Sequence, residues 1–177
     1  LHYKARKAYD NVLLSIDGDS KTVSVHLSNE GREQVSGTLV WKLVDLTGDI
    51  VDSGTVSEKV DAFSSQEIFV RDFSAVLSDN QDRNSCFESV FTSSDGQIYR
   101  ETHYFVPYKY LSLQNPGLTG EVKVADDKLI LVIKADRPAL FVEIDFEQAD
   151  AVLSDNYFDI GAGETREIGV ITENLSL

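Results

Sequence analysis

The chain has 177 residues, 42% of them hydrophobic and 26% charged, which is the composition of a folded globular protein rather than a disordered one. Its formal net charge of −14 disfavours nucleic acid and anionic membrane surfaces as partners, because both bind proteins through Lys and Arg. No stretch approaches the roughly 18 consecutive apolar residues of a membrane-spanning helix, so no membrane partner is expected either.

The single cysteine, Cys86, excludes a disulfide within the chain. The sequence contains no methionine, begins at Leu1 and has no signal-peptide pattern. We therefore expect it to be an excised piece of a larger protein, with any targeting information lying upstream.

The first nine residues, LHYKARKAY, carry Leu1, Ala5 and Ala8 at near-helical spacing, which predicts one or two helical turns or an extended lead-in. From Val12 onward, apolar residues recur at every second position, as in half-buried strands. Seven strands separated by turn residues are predicted first, over residues 12–16, 22–29, 37–46, 50–56, 66–72, 86–92 and 97–106.

Seven short strands in about 100 residues are typical of an immunoglobulin-like sandwich, in which two sheets stack to hide their apolar faces. We assign residues 1–111 to this domain, with residues 1–10 as its lead-in. The turn Asn115-Pro116-Gly117 marks a boundary, because Pro fixes φ and Gly admits positive φ. Beyond it, strands are predicted over residues 121–124, 128–134, 140–146, 152–160 and 165–172.

The predicted fold is therefore all-β, with two consecutive immunoglobulin-like β-sandwich domains over residues 1–111 and 112–177. The second domain is small for an independent core. We expect it either to lean on the first domain or to lack a final strand.

No pattern for catalysis or metal binding is present, so no catalytic, cofactor-binding or metal-binding residue is assigned and no cofactor is expected. His2, His26 and His103 are far apart and form no zinc-ligand spacing. Cys86 lies inside a strand pattern, where a buried thiol is the default interpretation. The run 79–84 (DNQDRN) spaces oxygen atoms as in a calcium loop but lacks the Gly and terminal Glu of an EF-hand, which favours a polar loop.

Aromatic residues offer two interpretations, core packing and sugar stacking. Trp41 shares a strand face with Leu39 and Leu43, which predicts a core position. Aromatic residues near the predicted boundary could pack in a domain interface or stack on a sugar, because amphipathic rings suit both roles. We favour the domain interface. The residues concerned are Tyr99, Tyr104, Phe105, Tyr108 and Tyr110.

Two segments resemble the β-mannosidases of glycoside hydrolase family 2. LHYKARKAY, followed by NVLLS at residues 11–15, resembles the family passage "LHY-ARR-F-PVLVS", where the chain leaves the catalytic barrel and enters a sandwich. LSDNYFDI at residues 153–160, followed by GAGE, resembles the "FSDNYFDLLPGE" signature near the family's C-terminus. Asn11 stands where the family has Pro, and Ile160-Gly161-Ala162 where it has Leu-Leu-Pro, which leaves room for a related enzyme such as an exo-glucosaminidase.

The resemblance implies a parent enzyme that removes terminal β-mannose with retention of configuration, using glutamates of a preceding barrel. The main expected partner is then the catalytic barrel of the same parent chain. Docking to it is assigned to residues near the predicted junctions: Leu1, Tyr3, Arg6, Tyr108 and Tyr110. A periplasmic or extracellular location is expected for a bacterial parent, and a lysosomal one for a eukaryotic parent.

The signature motif is predicted to be structural, with Asp155 and Asn156 making a turn and Tyr157 restarting a strand. Its residues are Ser154, Asp155, Asn156, Tyr157, Phe158 and Asp159. Two rival functions stay open: an independent carbohydrate-binding module with an oligosaccharide partner, and an adhesion or scaffold module.

Overall fold

The computed structural model describes Tyr3 and residues 10–77, 80–125, 128–146 and 151–171. The chain divides into two compact units. Ala5–Leu113 is called the first unit, and Gln114–Leu177 together with Leu1–Lys4 is called the second unit. The described residues form strands joined by turns and two short 3₁₀ turns, so the predicted all-β fold is confirmed. Tyr3 is helical, and the rest of the predicted lead-in at residues 1–9 lies outside the described residues.

The first unit is a two-sheet sandwich of seven antiparallel strands. One sheet has the order β1-β2-β5 and the other the order β4-β3-β6-β7. The strands are β1 (Val12–Gly18), β2 (Thr22–Asn29), β3 (Val35–Asp45), β4 (Ile50–Val60), β5 (Ser64–Asp72), β6 (Ser85–Ser93) and β7 (Ile98–Tyr104). All seven strands predicted for this domain are present.

One core fills the space between the two sheets of the first unit. In β2, Val23, Val25 and Leu27 are fully buried while the residues between them are half-buried, which is the alternation read from the sequence. Trp41 of β3 is also buried, as its strand face predicted, and packs on aromatic rings from the facing sheet and from its own. Cys86 of β6 is buried too.

Gly54 of β4 makes room for Trp41, its cross-strand partner. A Cβ atom at this position would lie 2.7 Å from the indole ring. We expect Gly54→Ala to lower the free energy of unfolding by about 1–3 kcal/mol, because the extra methyl overpacks the core. Urea unfolding would measure this. Gly169→Ala is the matched control, since its Cβ would meet nothing nearer than 3.6 Å, and an equal loss there would contradict a specific clash with the ring.

The second unit is a smaller sandwich. A four-stranded sheet has the order β11-β13-β9-β8, and a two-stranded sheet pairs β10 with β12. The strands are β8 (Thr119–Ala125), β9 (Lys128–Lys134), β10 (Ala139–Val142), β11 (Val152–Leu153), β12 (Phe158–Ile160) and β13 (Thr165–Ile171). Its core is made of Leu131, Ala135, Ala139, Val142, Leu153, Phe158, Ile160 and Ile168.

Two predicted strands of the second unit are wrong as continuous elements. The predicted strand 140–146 ends at Val142, although Ile144 and Phe146 still pack against the core. The predicted strand 152–160 is split into β11 and β12, which join different sheets. The break includes Tyr157, whose φ of 58° lies in the left-handed region and outside the extended region of a regular strand.

Candidate functional site

Within the described ranges, no group of three or more His, Cys, Asp or Glu side chains is placed to hold a metal ion. Among the same residues, no helix has the length and apolar character needed to cross a bilayer. In the run 79–84, Asp79 lies outside the described residues, and Gln81–Arg83 forms a 3₁₀ turn.

A hollow of about 460 Å³ lies on the first unit, between the β1–β2 turn and the segment that follows β7. It is lined by Gly18, Asp19, Ser20, Thr102, His103, Tyr104, Phe105, Val106, Pro107 and Tyr108. Sequence reasoning missed this hollow because its two walls are more than 80 residues apart. Part of one wall, Gly18-Asp19-Ser20, lies between the predicted strands 12–16 and 22–29, where the sequence predicts a turn.

Asp19 holds the β1–β2 turn together. Its carboxylate accepts hydrogen bonds from the backbone N–H groups of Lys21 at 2.8 Å and Thr22 at 2.7 Å. These bonds favour the charged form and lower the pKa of Asp19. Asp19 is also the one carboxylate among the residues that line the hollow. Retaining glycoside hydrolysis needs two carboxyl groups about 5–5.5 Å apart, so the hollow cannot supply that chemistry.

His103 ties the end of β7 to the same turn. Its Nε2 lies 3.1 Å from the backbone carbonyl oxygen of Asp19, a distance at which a protonated nitrogen donates a hydrogen bond. Its ring meets the buried ring of Phe105 edge-on, with centroids 5.2 Å apart. Both contacts are those of a histidine satisfied within the fold.

Two tyrosines, Tyr104 and Tyr108, line the hollow, and Tyr110 follows them in the chain. The rings of Tyr104 and Tyr108 meet edge-on with centroids 5.4 Å apart, and Tyr108 is half exposed. Tyr110 lies below two cations, with the guanidinium of Arg83 at 5.4 Å and the ammonium of Lys109 at 4.8 Å from its ring centroid. Tyrosine rings on such a surface can bind a flat apolar face.

The residues assigned to docking are not gathered into one site by the contacts of the described residues. Tyr108 lines the hollow of the first unit, and Tyr110 lies two residues beyond it in the chain. Tyr3 belongs to the second unit, where it packs near Tyr157 with ring centroids 6.5 Å apart. Leu1 and Arg6 lie outside the described residues. Docking therefore stays a prediction.

The contact of Tyr3 with Tyr157 joins the two segments of the sequence that resemble the family. Tyr3 lies in the first segment that resembles the family, and Tyr157 lies in the second. These segments are separated by about 150 residues in the chain yet contact each other in the fold. The Tyr157 hydroxyl also donates a hydrogen bond to Glu143 at 2.7 Å, and this carboxylate raises the pKa of Tyr157.

Asn156 is the buried centre of the signature motif. Its side-chain amide donates to the carbonyl of Ile144 and accepts from the Ile144 N–H, both at 2.9 Å. The same oxygen accepts from the Tyr157 N–H at 2.9 Å. The amide thus replaces a strand partner for the segment after β10, which explains why that segment stays on the core without forming a strand.

The other polar residues of the motif also bond to backbone. Ser154 accepts a hydrogen bond from the Gly169 N–H at 2.9 Å. Asp159 accepts from the Phe141 N–H at 2.9 Å, and Asp155 from the Asn156 N–H at 3.0 Å. Phe158 is buried in the core. These contacts tie the motif to neighbouring backbone within the second unit, as a structural motif would, and its structural role stays a prediction.

Two known domain families match the sequence, one over each unit. A family model described as "Mannosidase Ig/CBM-like domain" matches residues 21–110, just over half of the chain. The chain belongs to the mannosidase Ig/CBM-like domain family. A second family model matches residues 113–177 of the chain. It is described as "Ig-fold domain" and is named for mannosidases. The resemblance of the sequence to the immunoglobulin-like domains of β-mannosidases is confirmed. A comparison with curated proteins gave no match.

Solved structures share the fold of this mannosidase Ig/CBM-like chain. A β-D-mannosidase from Dictyoglomus thermophilum is similar over 98% of the chain and 21% of its own length, with 20% identity and a TM-score of 0.83. The Amycolatopsis orientalis exo-chitosanase CsxA is similar over 96% of the chain and 24% of its own length, with 18% identity and a TM-score of 0.64. The chain thus spans about a fifth to a quarter of these proteins, and at these identities the likeness establishes the fold.

Proposed function

We propose that the chain is a non-catalytic accessory region of a β-mannosidase-like retaining exo-glycosidase of glycoside hydrolase family 2, and that it supports a catalytic barrel in the same parent chain. The observation that carries the proposal is the order of the two family matches, with the mannosidase Ig/CBM-like domain at residues 21–110 followed by the Ig-fold domain at 113–177. The fold likeness to a β-D-mannosidase over 98% of the chain supports it.

The chemistry of the described residues supports an accessory role. Both cores are filled by apolar side chains, and the hollow of the first unit contains one carboxylate, which already holds a turn. A retaining glycosidase needs two carboxyl groups beside a sugar-binding cleft. In this proposal the catalytic barrel of the parent chain supplies both.

A supporting role fits the mechanics of the fold. Antiparallel sandwiches have few internal degrees of freedom, and the long strand pairs β3–β4 and β3–β6 of the first unit run over nine or more residue pairs. Domain interfaces within a chain bury roughly 600–1,500 Å², and large apolar ones restrict the relative motion of the domains. The half-exposed Tyr108 and Tyr110 offer the amphipathic surface that such an interface uses.

The test uses the full-length parent enzyme. We expect the double substitution Tyr108→Ser and Tyr110→Ser to lower the midpoint of thermal unfolding by several degrees while kcat on a terminal β-mannoside changes less than about twofold, because the two rings would pack a domain interface rather than touch substrate. The matched control is Phe63→Ser, an exposed aromatic residue of the same unit, which should leave both values unchanged.

Three outcomes would contradict the proposal. Unchanged thermal stability of the double variant would remove the supporting role. Hydrolysis of a β-mannoside by the isolated 177-residue chain would place the catalytic groups here. A parent that prefers a β-glucosaminide would keep the accessory role and reassign the enzyme, as the departures from the family signature allow.

Oligosaccharide binding is the second candidate, favoured by the tyrosines that line the hollow. If it is correct, calorimetric titration of the isolated chain with β-mannobiose gives a dissociation constant that rises on Tyr108→Ser. Absence of heat at millimolar sugar would leave the supporting role as the function.

A further inference from the structure

Strand β8 forms an edge of the second unit that no other described strand covers. It pairs with β9 over all seven residues, Thr119–Ala125, without a register shift. It is the last strand in the sheet order β11-β13-β9-β8, so one row of its backbone N–H and C=O groups faces outward. Every residue of β8 is exposed.

The side chains of β8 are unusual for an exposed edge. Val122 is paired with Leu131 and Val124 with Leu129, so both valines lie on the face of the sheet that carries the core residue Leu131. The two-stranded sheet β10–β12 leaves them 64% and 71% exposed. The strand has no proline and no bulge, which are two of the means that block edge pairing, although it carries the charged residues Glu121 and Lys123.

The sequence of β8 is complementary to itself. If two copies pair antiparallel about a two-fold axis at Val122, the midpoint of the strand, all seven residues are matched. Val122 then faces Val122 of the second copy, and Glu121 faces Lys123 of the second copy. Opposite charges directly across an antiparallel pair are favourable, and the two-fold axis produces this pair twice.

We propose that β8 pairs with β8 of a second copy of this chain and joins the two four-stranded sheets into one. The pairing satisfies the outward row of backbone groups and covers Val122 and Val124. It closes at two copies, since each chain has one β8 and the opposite edge, β11, has two residues. The proposal is independent of the glycosidase assignment.

Charge decides the strength and the salt dependence of this association. Within one copy, the Lys123 ammonium lies 3.0 Å from the Glu121 carboxylate, and both side chains are more than half exposed. They can therefore exchange partners across the axis at little cost. The net charge of −14 on each chain opposes association, so added salt should strengthen the dimer by screening that repulsion.

Cross-linking tests the register. Under mild oxidation, Val122→Cys should form a covalent dimer, because the two-fold axis brings this position against itself. Val124→Cys is the control, since in the same register it faces Gly120 of the second copy and lies four residues from its own equivalent. The native Cys86 is fully buried and should not contribute. Equal cross-linking at both positions, or none at Val122, would overturn the proposal.

Charge reversal tests the pairing without oxidation. Lys123→Glu should raise the dimer dissociation constant about tenfold, because two attractive pairs become repulsive. Adding Glu121→Lys in the same chain restores opposite charges and should return the dissociation constant to within about twofold of the starting value. Lys59→Glu, on the edge strand β4 of the first unit, is the matched control and should change little.

Sedimentation equilibrium over a range of protein concentrations measures these values, and circular dichroism checks that each variant is folded. A chain that stays monomeric at millimolar concentration and high salt would overturn the proposal and leave the edge to a different partner. A species larger than a dimer, or failure of the double variant to recover, would overturn it as well.

Discussion

Replacing Trp41 with alanine is expected to lower the free energy of unfolding of the first unit by about 3–5 kcal/mol. The indole is 3% exposed at the centre of the aromatic core. Its ring centroid lies 4.9 Å from that of Phe69 and 6.1 Å from those of Phe73 and Phe87. Truncation would leave a cavity between the two sheets that these rings cannot fill, because strand pairs on both sides fix their positions.

A surface pair seals the same ring from solvent. The guanidinium of Arg71 lies 4.9 Å above the indole and is held by Asp52 at 2.6 Å. The ion pair itself is exposed and contributes little. Its effect is to keep the Arg71 guanidinium over the Trp41 ring, so the loss on truncation includes this contact as well.

Urea unfolding followed by far-UV circular dichroism measures this loss, since Trp41 is the only tryptophan and its fluorescence disappears with the substitution. Phe63→Ala is the control, because that aromatic side chain is 73% exposed and its removal opens no cavity. A loss of less than about 1 kcal/mol for Trp41→Ala would mean that the ring is not part of the packed core.

The strands of the first unit could be predicted because their signal is local. The alternation of apolar and polar residues in β2 places Val23, Val25 and Leu27 on one face, independently of the rest of the chain. Burial of that face follows from its apolar character. Trp41 was placed in the core by the same argument. Turn residues between the strands then limited their lengths. The observed strand ends differ from the predicted ones by up to four residues, and β7 is shorter than predicted.

The second unit was harder to predict because its irregular part depends on side-chain hydrogen bonds between distant segments. The apolar residues Ile144 and Phe146 keep the period of a strand and do reach the core. Their backbone, however, pairs with the amide of Asn156, twelve residues away, and not with a strand. No periodicity in the sequence distinguishes these two ways of satisfying the same backbone groups.

Surface features were missed for a related reason. The hollow of the first unit depends on His103 meeting the carbonyl of Asp19, 84 residues earlier in the chain. The open edge at β8 depends on the order of strands in the sheet, which the sequence of β8 does not contain. The sequence indicated the turn and the strand in each case, and only the three-dimensional arrangement showed what they leave exposed.

Replacing Asn156 with alanine is expected to lower the free energy of unfolding of the second unit by about 2–3 kcal/mol. The side chain is 8% exposed and makes three hydrogen bonds to backbone groups of Ile144 and Tyr157. Alanine leaves the N–H and C=O of Ile144 without these partners beside an apolar core. The cost of unsatisfied buried groups then exceeds the small loss of contact area.

Asn156→Asp separates the hydrogen bonds from the shape of the side chain. A carboxylate still accepts from the N–H groups of Ile144 and Tyr157, but it cannot donate to the Ile144 carbonyl, and it places a negative charge next to that oxygen. We expect this variant to be at least as destabilised as Asn156→Ala at neutral pH. It should recover part of the loss in acid, relative to the unsubstituted chain at the same pH, because a protonated carboxyl donates to the carbonyl again.

Asn115→Ala provides the control in the same unit. Asn115 is exposed, and its side chain accepts one local hydrogen bond, from the Gly117 N–H at 3.0 Å, so its loss should cost less than about 1 kcal/mol. Chemical unfolding monitored by backbone amide signals of residues in β9 and β13 reports on the second unit specifically. If Asn156→Ala costs no more than Asn115→Ala, the amide does not hold residues 143–146 on the core. The sequence of the signature motif would then need an explanation other than the hydrogen bonds of Asn156.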